Sequence, residues 1–268
     1  MVIAVTNRKG GVGKTTTSLS LASGLFRRGY KTLIIDTDPQ QANLTSYFNI
    51  NTDGVPTVYE VLVGKAVIDN KDITGKDIFD LAVKHTSLGD FLPADTSLAA
   101  FENDSILAKE TCLKWYIEKY KLDKTYDFII IDTPPSLGYL TINALAACEK
   151  IVVPSSARRG ALRGVLDIMD LVNQLKERLN PQIEIDGVLI TEFNTRPGIG
   201  PTLMEWAHMQ SAKYEFKLYT TVIRKNDDID KAEMLGTDVY TYNHKAPAAI
   251  DYETFVDEFL SGLEKGRQ

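Results

Sequence analysis

The amino-acid sequence predicts a doubly wound α/β fold, with a mostly parallel sheet and helices on both faces. Uniformly apolar runs alternate along the chain with segments of helical periodicity, and this alternation is typical of such folds. Runs that are apolar throughout indicate strands covered on both faces. A glycine-rich segment between the first apolar run and the first helical segment completes a strand, loop and helix unit.

The order of elements follows from these patterns. Strands are expected at residues 2–5, 32–35, 127–131, 151–154 and 187–191. Helices are expected at residues 15–28, 106–120, 139–148, 161–178, 201–213 and 250–264. Residues 49–96 are less regular and rich in Asp, Lys and Gly, so we expect an insertion with a short helix near 57–63, inside one domain that spans residues 1–268.

Composition restricts the class of protein. The 268 residues are 44% hydrophobic and carry 36 acids against 30 bases, a net charge of −6 that argues against a generally basic surface but allows a local patch. Cys112 and Cys148 lack C-x-x-C spacing, so neither a zinc site nor a disulfide framework is indicated. Apolar runs are too short for a membrane span, and Met1 leads straight into the first strand without a signal peptide. We therefore expect a cytoplasmic protein.

The glycine-rich segment has the pattern of a phosphate-binding loop. It reads Lys9-Gly10-Gly11-Val12-Gly13-Lys14-Thr15-Thr16, a variant of G-x-x-x-x-G-K-[ST] in which Arg8 occupies the position of the first glycine. The glycines allow a tight turn that directs N–H groups toward one point, where the helix N-terminus adds positive potential. Lys14 is expected to reach the β and γ phosphates, Thr15 to ligate Mg²⁺ and Thr16 to bond the α phosphate.

Acidic residues follow two of the predicted strands, where ligands bind in such sheets. Asp36 and Asp38 come after the second strand and project to the same side of an extended chain. Asp132 ends a run of apolar residues and precedes the stiff turn Thr133-Pro134-Pro135-Ser136. This is a Walker B arrangement, in which the acid holds Mg²⁺ or a water bound to it.

Together these motifs resemble the ParA/Soj partition ATPases, within the wider deviant Walker A group that includes MinD. The resemblance is carried by residues 9–17, 36–40, 127–138 and 141–145. It continues through Phe91-Leu92-Pro93-Ala94 and Tyr219-Thr220-Thr221-Val222-Ile223 and so covers nearly the whole chain.

The resemblance implies an ATPase that uses ATP and Mg²⁺ and forms a homodimer around two ATP molecules. Lys9 is then the signature lysine that crosses to the partner's nucleotide, where a second cation neutralises the charge that develops during hydrolysis. Asp38 is expected to position the attacking water, and Asp36 to support Mg²⁺ and the switch region. Asn194 is similar in position to a residue that contacts the base, although an asparagine there could equally be a turn residue.

The resemblance also implies nonspecific DNA binding by the ATP-bound dimer, association with the nucleoid, and a ParB-like centromere-binding partner that stimulates hydrolysis. The basic DNA-facing residues of the family fall at Arg196, Arg224 and Lys225. Such binding consists mainly of phosphate contacts and depends steeply on salt. The acidic pair Asp227-Asp228 departs from the family, whose members tend to carry an arginine there, and argues against this DNA contact.

A second departure is the basic cluster formed by Arg158, Arg159 and Arg163. The family usually shows an acidic and aromatic sequence at this point. The cluster is either a solvated helix start or a surface for a partner or DNA that is peculiar to this protein.

Other functions of the same fold remain as alternatives. A MinD-like protein should end in a basic amphipathic helix, whereas residues 251–263 are amphipathic but acidic and are expected to pack on the core, away from any membrane. An iron–sulfur carrier requires suitably placed cluster cysteines, which Cys112 and Cys148 do not provide. A metabolic ATP-using ligase is compatible with the loop but does not require Lys9. The first strand starts at residue 2, so an N-terminal helix-turn-helix is not expected.

Overall fold

The computed structural model describes residues 1–40, 43–68, 70–156, 158–196 and 199–265. The strands are β1 Val2–Val5, β2 Thr32–Asp36, β3 Lys65–Ile68, β4 Lys71–Thr74, β5 Lys84–Thr86, β6 Gly89–Leu92, β7 Phe128–Asp132, β8 Lys150–Ser156, β9 Glu184–Phe193 and β10 Leu218–Arg224. Within the described ranges, eight of them form one sheet in the order β10-β9-β8-β1-β7-β2-β6-β5, and β3 pairs with β4 in a separate antiparallel hairpin. Only β5 runs antiparallel to its neighbour in the described part of the main sheet. The predicted fold class is confirmed.

Helices flank the sheet on both faces. They are α1 Lys14–Arg27, α2 Asn43–Tyr47, α3 Val58–Val63, α4 Lys76–Ala82, α5 Cys112–Lys119, α6 Leu122–Thr125, α7 Tyr139–Ala147, α8 Arg159–Arg178, α9 Ile199–Tyr214, α10 Asp227–Met234, α11 Val239–Tyr242 and α12 Pro247–Lys265, with 3-10 helices at Thr96–Glu102 and Lys109–Thr111. One hydrophobic cluster lies under α1 and α12, and another lies under α3, α5, α7 and α8.

The central strands are apolar throughout because both of their faces are buried. In β1, Val2 and Ala4 face one cluster, while Ile3 and Val5 face the other, as the two-residue period of a strand requires. The carboxyl ends of these strands therefore lie at one edge of the sheet, where the loops between strand and helix meet.

The described helices and strands differ in part from the predicted ones. The expected helix at 106–120 is a 3-10 turn followed by α5, because Ala108 adopts a left-handed φ of 52° that a continuous helix cannot contain. Residues 49–96 contain the expected short helix, α3, whose Thr57 and Glu60 form a capping box. The same stretch also supplies β5 and β6 to the main sheet, and β10 extends the opposite side; none of these three strands was predicted.

The last helix, α12, packs against the sheet as expected. Its buried face includes Tyr252, Phe255, Val256 and Phe259. The helix also contacts β10, because the Glu258 carboxylate accepts hydrogen bonds from the backbone N–H groups of Thr220 and Thr221 at 2.7 and 2.8 Å. The apolar face formed by these four side chains is therefore buried inside the protein.

Among the residues that the structure describes, none of the helices combines the length and the apolar character needed to span a bilayer.

Candidate nucleotide site

The phosphate loop joins β1 to α1, and its glycines occupy backbone conformations that other residues rarely adopt. Gly11 and Gly13 have φ values of 67° and 74°, in the left-handed region that favours glycine. Gly13 is the N-cap of α1, so the N–H groups of the first helical turn point into the loop. Thr191, on β9, donates a hydrogen bond to the Val12 carbonyl at 2.9 Å and holds the loop from the side.

Arg8 fits at the position of the usual glycine because it does not adopt a positive φ. Its guanidinium pairs with Asp167 of α8 at 2.8 Å. The buried Asn7 beside it donates from Nδ2 to the Pro154 carbonyl at 2.8 Å and accepts at Oδ1 from the Lys9 N–H at 2.9 Å. The backbone that enters the loop is thus fixed by side-chain contacts.

The predicted acids converge at the carboxyl edge of the sheet. Asp36 and Asp132 occupy paired positions on β2 and β7, and both are buried. The hydroxyl groups of Thr15 and Ser18 each donate to the Asp132 carboxylate at 2.8 Å. Ser18 was not predicted, although its three-residue spacing from Thr15 places both hydroxyls on the same face of α1.

Asp36 organises the chain that follows β2. Its Oδ1 accepts from the Asp38 N–H at 3.0 Å, and its Oδ2 accepts from the Thr45 hydroxyl at 3.1 Å. The Thr45 oxygen in turn accepts from the Ala94 N–H at 3.0 Å, at the end of β6. Thr45 was missed because this contact joins segments far apart in the sequence. The two contacts tie α2 to the site.

The carboxylates and Lys14 perturb one another electrostatically. Burial, followed by the neighbouring Asp132, raises the pKa of Asp36 to about 7. Burial, partly offset by the hydroxyls of Ser18 and Thr15, raises the pKa of Asp132 to about 6. Burial lowers the pKa of Lys14 against the opposing attraction of Asp132 and Asp38. The site therefore concentrates negative charge around one buried ammonium group.

A cavity of about 420 Å³ opens above the loop. One wall is made of Gly10, Gly11, Gly13, Lys14, Thr15, Thr16, Asp38, Gln40 and Pro135. The other wall extends along α1 to α10 and is more apolar, with Leu19, Ser20, Tyr47, Ile229, Ala232, Glu233 and Val239. Of the described residues, those that line this cavity do not include Lys9 or Asn194. Lys9 is half-buried, and its Nζ lies beside Gly160 on α8.

The predicted DNA-facing residues lie where β9 and β10 end side by side. Asn194 is exposed, and its side-chain oxygen accepts from the Arg196 N–H at 3.0 Å, which is the geometry of a turn. Arg196 and Lys225 are exposed. Arg224 instead pairs with Asp251 of α12, with Nη2 at 2.7 Å and Nε at 2.8 Å from its carboxylate oxygens. Its guanidinium is therefore engaged within the protein.

The two departures from the family pattern have separate local settings. Asp227 and Asp228 form the first turn of α10 behind the N-cap Asn226, where negative charge stabilises a helix. In the basic cluster, Arg158 is the N-cap of α8 and Arg163 is exposed, while the side chain of Arg159 lies outside the described residues.

Comparison with known proteins agrees with this geometry. The chain matches the AAA_31 family, an AAA domain, over residues 1–185. It is 37% identical to the sporulation initiation inhibitor protein Soj of Bacillus subtilis, covering 94% of each chain, and 32% identical to the chromosome partitioning protein ParA of Caulobacter vibrioides, covering 100% of this chain and 96% of that one. A cobyrinic acid a,c-diamide synthase from Mycobacterium smegmatis, solved with ADP and magnesium, is 30% identical with a TM-score of 0.80, covering 99% of this chain and 96% of that one.

A glycine-rich loop before a helix, with acids at the ends of the adjacent parallel strands, defines a P-loop ATPase. The full-length similarity to Soj and ParA narrows this class. The chain belongs to the ParA/Soj family of partition ATPases.

Proposed function

We propose that this protein hydrolyses Mg²⁺-ATP as an ATP-dependent dimer, in which Lys14 binds the phosphates of its own nucleotide and Lys9 contacts the nucleotide of the partner subunit. The observation that carries the proposal is the different placement of the two lysines. Lys14 lines the cavity, whereas Lys9 lies outside its lining, beside Gly160. Lys9 is thus available to a nucleotide across an interface, where a second cation stabilises the transition state.

The donor set of the site fits Mg²⁺, which prefers carboxylate, hydroxyl and phosphate oxygens. The Thr15 hydroxyl and the Asp132 carboxylate would hold the ion, with Asp36 supporting them from the paired position. Burial is the main cause of the raised pKa values of both acids, and a divalent cation would favour their charged forms. When bound, the ion neutralises charge on the phosphates and on these carboxylates.

The remaining roles belong to residues of the loop and of the chain after β2. The N–H groups of Gly10, Gly11, Val12 and Gly13 cradle the phosphates, and Thr16 bonds them from the first turn of α1. Asp38 lines the cavity beside Lys14 and orients the attacking water. The Gln40 N–H, which donates to Asp38 Oδ1 at 3.0 Å, fixes that carboxylate.

The second wall of the cavity suits a base and ribose better than the surroundings of Asn194 do. Leu19, Ile229 and Val239 present apolar surface next to the phosphate loop, as base-binding pockets commonly do. A contact between Asn194 and the base is a separate proposal. Loss of ATP affinity in Asn194→Ala would support it, and unchanged affinity would contradict it.

Partition supplies the biological setting, since the relatives at 32 to 37% identity are chromosome partitioning and sporulation proteins. In this setting the ATP-bound dimer binds nonspecific DNA and becomes associated with the nucleoid. A ParB-like centromere-binding protein stimulates hydrolysis and release. Arg196 and Lys225, exposed at adjacent strand ends, are the DNA contacts that the geometry favours, while the Asp251 ion pair argues against Arg224.

Light scattering after gel filtration tests the dimer. Wild-type protein should be a monomer without nucleotide and a dimer with ATP and Mg²⁺. Lys9→Ala should still bind ATP, because its own cavity is intact. It should remain monomeric, because it lacks the contact with the partner's nucleotide. Lys124→Ala serves as a matched control, since it removes an exposed lysine on α6, which precedes β7 and so lies at the opposite edge of the sheet from the loop. A Lys9→Ala protein that dimerises and hydrolyses ATP like wild type would falsify the trans role.

A metabolic ATP-dependent enzyme is the second candidate, and the 30% identity to the cobyrinic acid a,c-diamide synthase supports it. The two functions respond differently to macromolecules. ATP turnover that rises with DNA and the centromere-binding partner supports partition, whereas turnover that rises only with a small-molecule acceptor supports the metabolic enzyme.

A further inference from the structure

The first turns of α8 pack directly on the segment that carries Lys9. A Cβ at Gly164 would overlap the Asn7 side-chain oxygen and lie 3.4 Å from the Lys9 backbone nitrogen. A Cβ at Gly160, one turn earlier, would lie 3.8 Å from Lys9 Nζ. A side chain at Gly164 would therefore displace Asn7, whereas one at Gly160 would only come into van der Waals contact with the Lys9 ammonium. The Lys9 backbone and its ammonium group lie against two successive turns of one helix.

An ion pair fastens the same segment to the same helix. Arg8, adjacent to Lys9, reaches Asp167 one turn after Gly164, with Nη1 and Oδ2 at 2.8 Å. The Arg8 side chain is 55% exposed and that of Asp167 is 22% exposed, so the pair contributes little to the stability of the fold. Its effect is local, on the direction in which residues 8 and 9 leave the sheet.

We propose that α8 positions Lys9 for its reach to the partner's nucleotide, and that Asp167 is a positioning residue that acts through Arg8. The proposal rests on the trans role of Lys9 proposed above. A lysine side chain has several rotatable bonds, so its ammonium arrives at a distant phosphate reliably only when its backbone is anchored. Asn7 anchors the Lys9 N–H, Gly164 sets the distance to α8, and the Arg8–Asp167 pair fixes the orientation.

This arrangement gives a structural role to Arg8, which replaces the usual glycine. The usual glycine of a phosphate loop cannot form an ion pair, whereas Arg8 joins the loop to α8 across 159 residues of sequence. The ion pair therefore supplies a direct link between the position of α8 and that of the residue next to Lys9.

The test compares steady-state ATP hydrolysis by Asp167→Asn, Arg8→Gln and the charge-swapped double variant Arg8→Asp/Asp167→Arg in the full-length protein. Both single variants should lose about tenfold in kcat, because a misplaced catalytic group is costly. Their KM for ATP should stay near the wild-type value, since the cavity is unchanged. The double variant should recover most of the lost kcat. Asp170→Asn, an exposed acid on the same helix, is the matched control and should be unaffected.

Wild-type kcat in Asp167→Asn, or a double variant no better than the single ones, would overturn the proposal. Hydrogen exchange at the Lys9 amide, which is bonded to Asn7, separates it from the dimer proposal. Faster exchange in Asp167→Asn than in Asp170→Asn supports the positioning role even where Lys9→Ala dimerises normally. Equal exchange in these two variants overturns the positioning role, whatever Lys9 does in the dimer.

Discussion

Asp36 and Asp132 lie at paired positions on adjacent parallel strands, with both carboxylates buried at the mouth of the phosphate loop. Burial, followed by Asp132, raises the pKa of Asp36 to about 7. Each acid is held by donors, Asp36 by Thr45 and the Asp38 N–H, and Asp132 by Thr15 and Ser18. The two carboxylates repel each other when both are charged, and binding of a proton or a cation reduces this repulsion.

We expect the nucleotide-free, metal-free protein to lose stability as the pH rises from about 4 to about 7. The pKa of Asp36 is about 7 in the folded protein against an ordinary value of 3.8, so between these values the folded state holds a proton that the unfolded state has released. The free energy of unfolding is therefore higher at low pH, and it falls by up to about 1.4 kcal/mol for each unit by which the pH rises. Thermal unfolding in the presence of a chelator measures it.

Asp36→Asn is the control for this pH dependence, because an amide does not titrate. Its melting temperature should vary less between about pH 5 and pH 7 than that of wild type. Added Mg²⁺ should flatten the wild-type profile in the same way. Parallel profiles for wild type and Asp36→Asn would refute the assignment.

Lys14→Ala should abolish nucleotide binding. The buried ammonium balances Asp132 and Asp38 and lines the phosphate side of the cavity, so its loss leaves a site that repels phosphate. Calorimetric titration with ATP measures the effect, with Lys9→Ala as a control that should retain affinity. Wild-type affinity in Lys14→Ala would contradict the site.

Asp38→Ala should bind ATP and form the dimer but hydrolyse ATP slowly. Asp38 lines the cavity without a hydrogen bond to the loop among its described contacts, so its removal spares binding and takes away the group that orients water. Phosphate release at saturating ATP, measured beside the dimer fraction, separates the two effects. Turnover at the wild-type rate would rule out the role.

The three predicted DNA-facing residues should fall into two groups. Arg196→Ala and Lys225→Ala should weaken an ATP-dependent electrophoretic shift of nonspecific DNA, with little change in melting temperature, because both side chains are exposed. Arg224→Ala should instead lower the stability by about 1 to 3 kcal/mol, because it removes the guanidinium from the largely buried Asp251 carboxylate and leaves only a backbone N–H as donor among the described residues. Absence of an ATP-dependent shift in wild type would remove DNA from the proposed function.

Local patterns made the centre of the fold predictable. The apolar runs that became β1, β2 and β7 are buried on both faces, and the loop motif has a fixed spacing, so each could be found without knowledge of its neighbours. β10 was missed because this edge strand mixes buried Tyr219 and Ile223 with exposed threonine. Its partner and its covering helix supply the context that its own residues lack.

The contacts that complete the site were harder to predict because they join distant segments. Arg8 could be recognised as a departure from the glycine pattern. Its partner Asp167 could not be predicted, because it lies on α8, 159 residues away in the sequence. Thr45 belongs to a short helix whose relation to Asp36 depends on the position of β6. Arg224 was predicted to face DNA from its position in the motif. Its ion pair with Asp251 depends on the packing of α12, which the motif does not contain.

The contact of Glu258 with β10 has a consequence for the behaviour of the protein in solution. β10 is an edge of the described sheet, and unpaired N–H groups on an edge strand are a template for pairing between molecules. Glu258 occupies the N–H groups of Thr220 and Thr221 while its helix covers the strand. The docked α12 therefore protects the protein from aggregation through β10. On heating, the protein should begin to aggregate when this helix detaches.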